Sequence, residues 1–380
     1  MRFKAKTLFL TFMLILAILM ISTASLAKEK TSRYFIKSSN QTLMDQLKAK
    51  HVLSGGFTAE LSDSKIKEMK KAGFEMQKVP VRQLVGIGSS TLPSIKRKCL
   101  PSEQIPWGVE MLNGGKGGKG VKVAILDTGA MTGHSDLKSN VKRCMNTIGY
   151  GVQLGCQDTN GHGTHVAGTI AANGGSDKKG IYGVAPQTEL MIIKVFTPYG
   201  AYDDDIAEGI YYATDKGANI ISMSFGGPDD SPILRDAVEY ASSKGVLLVA
   251  SAGNEEDKYD HSIGYPAAYP EVIAVGAIDY EKTPLYWSSH GFNDGDYSKE
   301  EGEVDFAAPG VGIESIWNDG CYEKKDGTSM AAPHISGLAA KLWRGSAAKT
   351  RAYLQQLARK NDIGAPGDDE ETGFGLPIAP

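Results

Sequence analysis

The chain has 380 residues, of which 41% are hydrophobic and 22% are charged, and its formal net charge is -3. This composition excludes a disordered chain and a polytopic membrane protein, and the near-neutral charge argues against a nucleic-acid binder. The average hides two unlike parts, because residues 1–101 carry 18 Lys and Arg against 6 Asp and Glu, whereas residues 102–380 carry 23 against 38. The asymmetry predicts two parts with different fates.

The N-terminus has the pattern of a secretory signal peptide, predicted over residues 1–27. Arg2, Lys4 and Lys6 precede an apolar run at 8–21, and small residues follow up to Ala27. The run is shorter than the roughly 18–20 residues that span a bilayer, so we expect cleavage near Ala27 and no stable membrane anchor. The protein is therefore predicted to be secreted, where disulfides form.

Residues after the signal peptide alternate between strand and helix patterns. Strands are predicted at 33–37, 56–61 and 74–79, and helices at 43–47 and 62–73. The pattern predicts a small α+β domain. From Arg82 to Pro101 it gives way to Gly, Ser, Pro and the basic run Lys96-Arg97-Lys98, which indicates a linker with a processing site.

The remainder, from residue 102, alternates apolar strands with helical patterns. The strands are near-continuously apolar, as in parallel sheets buried on both faces, so we predict an α/β fold with a mostly parallel sheet flanked by helices. The predicted strands are 121–126, 190–195, 220–224, 245–250 and 272–275. Helices are expected after His165, Tyr202, Ser231 and Ser329.

Three short motifs contain chemically capable side chains. A strand ends at Asp127-Thr-Gly129, glycines flank a histidine in Asn160-Gly-His162-Gly-Thr-His165, and a serine opens a small-residue helix in Asp326-Gly-Thr-Ser329. Taken alone, the acid could be a turn residue and the serine a helix N-cap. Together they supply an acid, a base and a nucleophile in one of the chain orders known for catalytic triads.

These motifs resemble those of subtilisin-like serine proteases (subtilases), and the resemblance extends from Pro101 to Gly375. It implies a secreted precursor with a subtilisin-like peptidase domain at 102–380 and a propeptide at 28–101 that inhibits the enzyme and assists folding. It also implies an endopeptidase that acts on proteins and peptides. We expect a monomer.

The resemblance assigns the catalytic roles. Asp127 would orient His162, which would take the proton of Ser329 as its Oγ attacks the scissile carbonyl. His165 is the competing base, which the family pattern places in the following helix. Asn254 falls where the family has the side-chain donor of the oxyanion hole, with the Ser329 N–H as second donor.

The resemblance also places substrate-binding residues. The stretch Ser224, Phe225 and Gly226 is similar to the strand that pairs with the substrate backbone. Gly264 falls at the floor of the first specificity pocket, which predicts broad specificity with a preference for large apolar residues before the cut. Glu255 at the rim would also accept Lys.

Structural Ca²⁺ is the expected cofactor, because oxygen-rich carboxylate sites suit this ion. Asp136 matches a family ligand, and Glu103 lies where a ligand near the mature N-terminus is expected. Asp177 belongs to the loop 173–180, whose Lys178 and Lys179 depart from the family pattern.

Other interpretations remain at this stage. The chain could be a catalytically dead peptide-binding scaffold, a metallohydrolase using His162 and His165, or a protease specific for basic residues. Maturation is expected between Lys98 and Ser102, with Lys98 or Leu100 before the scissile bond. Of the four cysteines, Cys144 and Cys156 lie close enough in sequence to close a short loop, whereas Cys99 and Cys321 have no evident partner.

Overall fold

The computed structural model describes residues 29–84, 99–297 and 300–380. The predicted signal peptide and the basic run at 96–98 lie outside the described residues. The chain divides into two compact units. The first comprises residues up to Ala49 together with Gly56–Lys78, and the second comprises Lys50–Gly55 together with Val79–Pro380.

The first unit is the small α+β domain predicted from the sequence. Its elements are strand β1 (Thr31–Ile36), helix α1 (Gln41–Leu47), strand β3 (Gly56–Ser62), helix α2 (Asp63–Lys71) and strand β4 (Met76–Lys78). Strand β1 lies in the middle, antiparallel to β3 and β4. Helix α2 begins where expected, because the Ser62 side chain accepts a hydrogen bond from the Lys65 backbone N–H. Ile66 and Met69 then point into a core with Ile36 and Phe57.

The second unit is built on an eight-stranded sheet in the order β15-β14-β13-β11-β6-β9-β7-β8. All neighbouring pairs are parallel except β7 and β8. The strands are β6 (Lys122–Asp127), β7 (Val141–Asn146), β8 (Gln153–Leu154), β9 (Glu189–Lys194), β11 (Ile220–Met223), β13 (Leu247–Ser251), β14 (Val272–Ile278) and β15 (Phe306–Pro309). The α/β fold with a mostly parallel sheet is thus confirmed.

Helices pack against this sheet through their apolar residues. They are α3 (Trp107–Met111), α4 (His162–Ala171), α5 (Asp203–Asp215), α6 (Pro232–Ser243), α7 (Thr328–Lys341) and α8 (Ala347–Ala358), with a 3₁₀ turn at Arg359–Asn361. Helix α4 begins at His162 itself, four residues before the predicted start, and Gly161 at its N-cap has a φ of 108°. All ten residues of α4 and Thr328–Ala340 of α7 are buried.

Short strands complete the second unit. They are β2 (Val52–Leu53), β5 (Val81–Leu84), β10 (Ala201–Tyr202), β12 (Phe225–Gly226), β16 (Ile313–Ile316) and β17 (Tyr322–Lys325). Strand β5 lies between β10 and β12 and is antiparallel to both. The sequence-based prediction of a linker beginning at Arg82 was therefore wrong for its first residues.

Two disulfides join the four cysteines. Cys144 bonds to Cys156, as their spacing allowed, and Cys99 bonds to Cys321, 222 residues away. In the part of the chain that the structure describes, no helix has the length and apolar character needed to cross a bilayer.

Candidate active site

An acid and a histidine meet at the carboxyl edge of the large sheet. Asp127 is the last residue of β6, and His162 is the first residue of α4. The His162 Nδ1 atom lies 2.8 Å from Asp127 Oδ1 and 2.9 Å from Oδ2. Because a carboxylate accepts, Nδ1–H is the donor, which leaves Nε2 to act as the base. Gly163 permits this approach, since a Cβ at this position would lie 2.2 Å from the Gly129 carbonyl oxygen.

The electrostatics of His162 suit a proton acceptor. Burial alone would lower its pKa, but the Asp127 carboxylate outweighs burial, and the net effect raises the pKa. Its Nε2 is buried and has no hydrogen-bond partner among the described residues. The ring is thus oriented through one nitrogen and open at the other.

His165, the competing base, occupies a different environment. Its Nε2–H donates to the Ile313 carbonyl at 2.9 Å, and its side chain is fully buried. Burial lowers its pKa to about 3. A neutral ring bound to backbone carbonyls is a structural histidine, so neither the alternative base nor a His162–His165 metal pair is favoured.

Ser329 is the second residue of α7 and is fully buried. Its Oγ donates to the Ser224 carbonyl at 3.0 Å, and the Ser224 hydroxyl donates back to the Ser329 carbonyl at 3.0 Å. Ser224 follows β11, which is the parallel neighbour of β6. Ser329 is thereby held at the sheet edge where Asp127 lies, although its Oγ is turned toward Ser224 rather than His162.

Asn254 lies beside the start of α7. Its Oδ1 accepts from the Thr328 backbone N–H and from the Thr328 hydroxyl, each at 2.9 Å. Its Nδ2 is buried without a hydrogen-bond partner among the described residues. The amide is therefore fixed by its oxygen and presents an unused donor next to Ser329, as an oxyanion hole requires.

Asp158 is a site residue that the sequence analysis did not identify. Its Oδ1 accepts from the Thr128 hydroxyl and from the backbone N–H groups of Asn160 and Gly161, at 2.8–2.9 Å. Its Oδ2 accepts from the Thr164 backbone and hydroxyl. Asp158 thus ties the loop before His162 to the residue after Asp127. The only signal in the sequence was its position two residues before Asn160.

The predicted substrate-binding residues border a cleft. Phe225 and Gly226 form β12, directly after Ser224. Gly264 lines a cavity of about 400 Å³ together with Gly226, and a Cβ on Gly264 would lie 3.2 Å from Gly227 backbone atoms. The acids Glu255 and Asp260 also line this cavity. Close to Gly264 in the sequence, the Tyr265–Pro266 peptide bond is cis.

The predicted calcium ligands are brought together in part. A Cβ added to Gly175 would lie 2.9 Å from Asp136 Oδ1 and 3.5 Å from Asp177 Oδ1, so the two carboxylates face the same small space. Glu103 is exposed, and within the described residues its side chain forms no hydrogen bond. Its neighbour Gln104 instead donates to the carbonyl oxygens of Lys178 and Gly180 in this loop.

A buried acid–histidine pair, a serine at a helix N-terminus and an orphaned amide at the edge of a parallel sheet define a serine hydrolase of α/β architecture. Comparison with known proteins narrows the class. A sequence profile of the Subtilase family matches residues 118–375. The chain therefore belongs to the subtilase family, and it is a serine endopeptidase of the subtilisin type.

Individual relatives agree with this assignment. The chain is 38% identical over 352 residues to a subtilisin of Bacillus sp. (strain TA39), covering 84% of this chain and 83% of the relative. It is 45% identical over 236 residues to the major intracellular serine protease of Bacillus subtilis (strain 168), covering 60% and 70%. The solved structure of sphericase is similar with a TM-score of 0.69 at 43% identity, covering 73% of this chain and 99% of that one.

Proposed function

We propose that this subtilase is made as a secreted precursor and cleaves peptide bonds with Asp127, His162 and Ser329 as its triad. The observation that carries the proposal is the buried Asp127–His162 pair, with Nε2 open at the sheet edge that also holds Ser329. His162 accepts the Ser329 proton as Oγ attacks the substrate carbonyl, and later donates it to the leaving amine. The Ser329 hydroxyl must rotate from the Ser224 carbonyl to reach Nε2.

Asn254 Nδ2 and the Ser329 backbone N–H stabilise the oxyanion of the tetrahedral intermediate. A preorganised donor of this kind is worth about 3 kcal/mol in the transition state. Thr328 contributes by fixing the amide through its oxygen, so that the amide needs no reorientation during the reaction.

The substrate is proposed to pair with β12 as an extended strand and to place a large apolar residue in the cavity bordered by Gly264. Gly264 supports this preference because it adds no side chain to the space of the cavity that it lines. Glu255 and Asp260 at the same cavity support additional acceptance of Lys. Main-chain hydrogen bonds between the substrate and β12 depend little on the substrate side chains, which fits broad specificity.

Residues 28–101 are proposed to inhibit the enzyme until they are removed. The antiparallel pairing of β5 with β12 supports this, because β5 occupies the place of a substrate strand. The cut between Lys98 and Ser102 stays a prediction. The pairing of β5 with β12 adds a second candidate cleavage site, directly after β5. Two of the relatives are named as intracellular serine proteases, so the secretion of this protein needs its own test.

Asp136 and Asp177 are proposed to bind structural Ca²⁺. The shared space in front of Gly175 and the carboxylate donors fit a hard cation. When bound, the ion would hold the loop 173–180 to the segment around Asp136. Glu103 is a weaker candidate than the sequence implied, because it lies at the surface.

A fluorophosphonate probe tests the triad. We expect labelling of the secreted protein at Ser329, no labelling of Ser329→Ala, and a Ser329→Ala precursor that stays uncut during purification. Ser243→Ala, at the exposed end of α6, serves as the matched control and should be labelled like the parent protein. Labelling that persists in Ser329→Ala would overturn the proposal, and so would activity that a chelator abolishes but the probe leaves untouched. The N-terminal residue of the secreted form, read by mass spectrometry, would locate the cut.

A further inference from the structure

Strand β5 provides a view of how an extended peptide sits in this cleft. It is a central strand with one neighbour on each side, since Leu84 and Gln83 pair with Phe225 and Gly226, while Arg82 and Val81 pair with Ala201 and Tyr202. The peptide backbone is therefore held from both sides by strands that belong to residues 102–380, the predicted peptidase domain. A substrate that replaced β5 would meet the same two strands.

The register of this pairing relates β5 to the catalytic serine. Leu84 lies opposite Phe225, so a peptide that continued the pairing by one residue would lie opposite Ser224. The Ser224 carbonyl accepts the Ser329 hydroxyl at 3.0 Å. The residue opposite Ser224 is therefore the first one before the cut. Leu84, Gln83 and Arg82 then occupy the second, third and fourth positions before the cut.

Arg82 makes the most strongly charged contact of β5. Its Nε and Nη2 atoms donate to the two oxygens of Asp203 at 2.6 and 2.7 Å, and Nη1 donates to the Gly227 carbonyl at 3.2 Å. Arg82 is only 1% exposed and Asp203 is fully buried. This is the two-pronged geometry that matches a guanidinium to a carboxylate, and it is among the stronger polar interactions in proteins.

The residues of the predicted peptidase domain that surround the Arg82 guanidinium leave room for it. A Cβ on Gly227 would lie 3.1 Å from Arg82 Nη1 and 3.3 Å from Cδ, so a larger residue there would crowd the side chain. Asp203 is the first residue of α5, so the helix holds it in place without β5. When β5 leaves, Asp203 loses the Arg82 guanidinium, and a guanidinium of the substrate would restore the same pair.

We propose that Asp203 makes the fourth subsite of this protease a receptor for arginine. Substrates with Arg at the fourth position before the cut would then form the same paired contact that Arg82 forms. The inference rests on the proposed protease function and deepens it. It adds a preference for a basic residue at a subsite three residues further from the scissile bond than the cavity bordered by Gly264.

Two peptide substrates that differ in one group test the proposal. They are acetyl-X-Gln-Leu-Phe-p-nitroanilide with X as Arg or as citrulline, its uncharged isostere, assayed with the enzyme matured from the full chain. We expect kcat/KM to be at least about tenfold higher for Arg, because a charge-assisted two-pronged pair is lost with citrulline. Values within about twofold of each other would overturn the inference.

Variants on the same helix assign the effect to Asp203. In Asp203→Asn the Arg-to-citrulline ratio is expected to fall to about one, whereas Asp215→Asn at the far end of α5 should keep it. The ratio comes from one enzyme preparation and so does not depend on the folded fraction. A ratio that survives in Asp203→Asn would overturn the assignment. Failure to cleave either peptide, together with no probe labelling at Ser329, would overturn the protease function itself.

Discussion

At the scale of single residues, the site works by fixing one end of a polar group and leaving the other end unused. His162 is held through Nδ1 and open at Nε2, and Asn254 is held through Oδ1 and open at Nδ2. Unused buried polar atoms are costly in a folded protein, so they mark places where a reacting group is expected. The Asn254 amide lies beside the start of α7, since its Oδ1 accepts from the Thr328 N–H, and Ser329 is the next residue of that helix.

Asn254→Ala should lower kcat by about 10²–10³-fold with little change in KM, because the oxyanion forms only in the transition state. Thr328→Val should cost less, since it removes one of the two hydrogen bonds that orient the amide but keeps the donor. Steady-state kinetics normalised by active-site titration would measure both. A rise in KM at unchanged kcat in Asn254→Ala would assign the residue to ground-state binding instead.

The residues of the proposed triad stood out in the sequence because each lies in a short motif with its own local cause. The strand before Asp127, the glycines around His162 and the helix after Ser329 are all visible within ten residues. Asp158 carried no such signal. Its role depends on five donors from the segments 128 and 160–164, which only the folded loop assembles.

At the scale of elements, the strands of the large sheet were predictable and the short strands were not. An apolar run such as 272–275 predicts a buried strand by itself, whereas Val81–Leu84 has four mixed residues beside a Gly- and Ser-rich stretch. Its partners β10 and β12 lie more than one hundred residues away. Pairing over that separation leaves no trace in a local window, because the strand forms only when its neighbours are in place.

Helix α5 gathers acids at its first turn, and one histidine is buried against them. His51 Nε2 lies 2.8 Å from Asp205 and 4.0 Å from Asp204, and its Nδ1 lies 3.6 Å from Glu208. Burial lowers the His51 pKa, but the hydrogen bond to Asp205 and the nearby Glu208 carboxylate outweigh it and raise the pKa to about 9. The imidazolium is thus the form that fits this environment.

This arrangement predicts how the segment Lys50–Gly55 responds to pH. Because the folded pKa is raised from 6.5, the stabilisation is complete below pH 6.5 and is lost as pH rises through about 9. Amide protection factors of residues 50–55 in the Ser329→Ala precursor should fall between pH 7 and pH 10. His51→Gln should have lower protection without that pH dependence. An equal fall in both proteins would contradict the prediction.

At the scale of the whole molecule, the two disulfides differ in what the sequence could reveal. The pair Cys144–Cys156 spans 12 residues and was anticipated, whereas Cys99–Cys321 spans 222 and was not. The unequal charges of the two halves were also visible, yet the contact that matters within the cleft is a single pair, Arg82 with Asp203. Net charge affects how fast two surfaces associate, but it does not identify which residues form an ion pair.

Calcium removal should lower the thermal stability of the mature enzyme. Binding at 100 times the dissociation constant contributes about 2.7 kcal/mol, which corresponds to a midpoint shift of about 5 °C or more for a protein of this size. Asp136→Asn should abolish the difference between calcium and chelator, and Asp279→Asn, in an exposed turn, should retain it. Scanning calorimetry measures the shift. Equal midpoints with and without calcium in the parent enzyme would exclude the site.

The Cys99–Cys321 bond gives the position of the maturation cut a consequence for inhibition. A cut before Cys99 yields two separate molecules, and dilution then favours their separation. A cut after Leu100 leaves Cys99 on the inhibitory side and Cys321 in the enzyme, so the fragments remain one covalent molecule. The inhibitor would then act at a fixed effective concentration on the order of millimolar, however dilute the solution. Activation of such a form would require a reductant or a second cut, which would make the enzyme responsive to its redox surroundings.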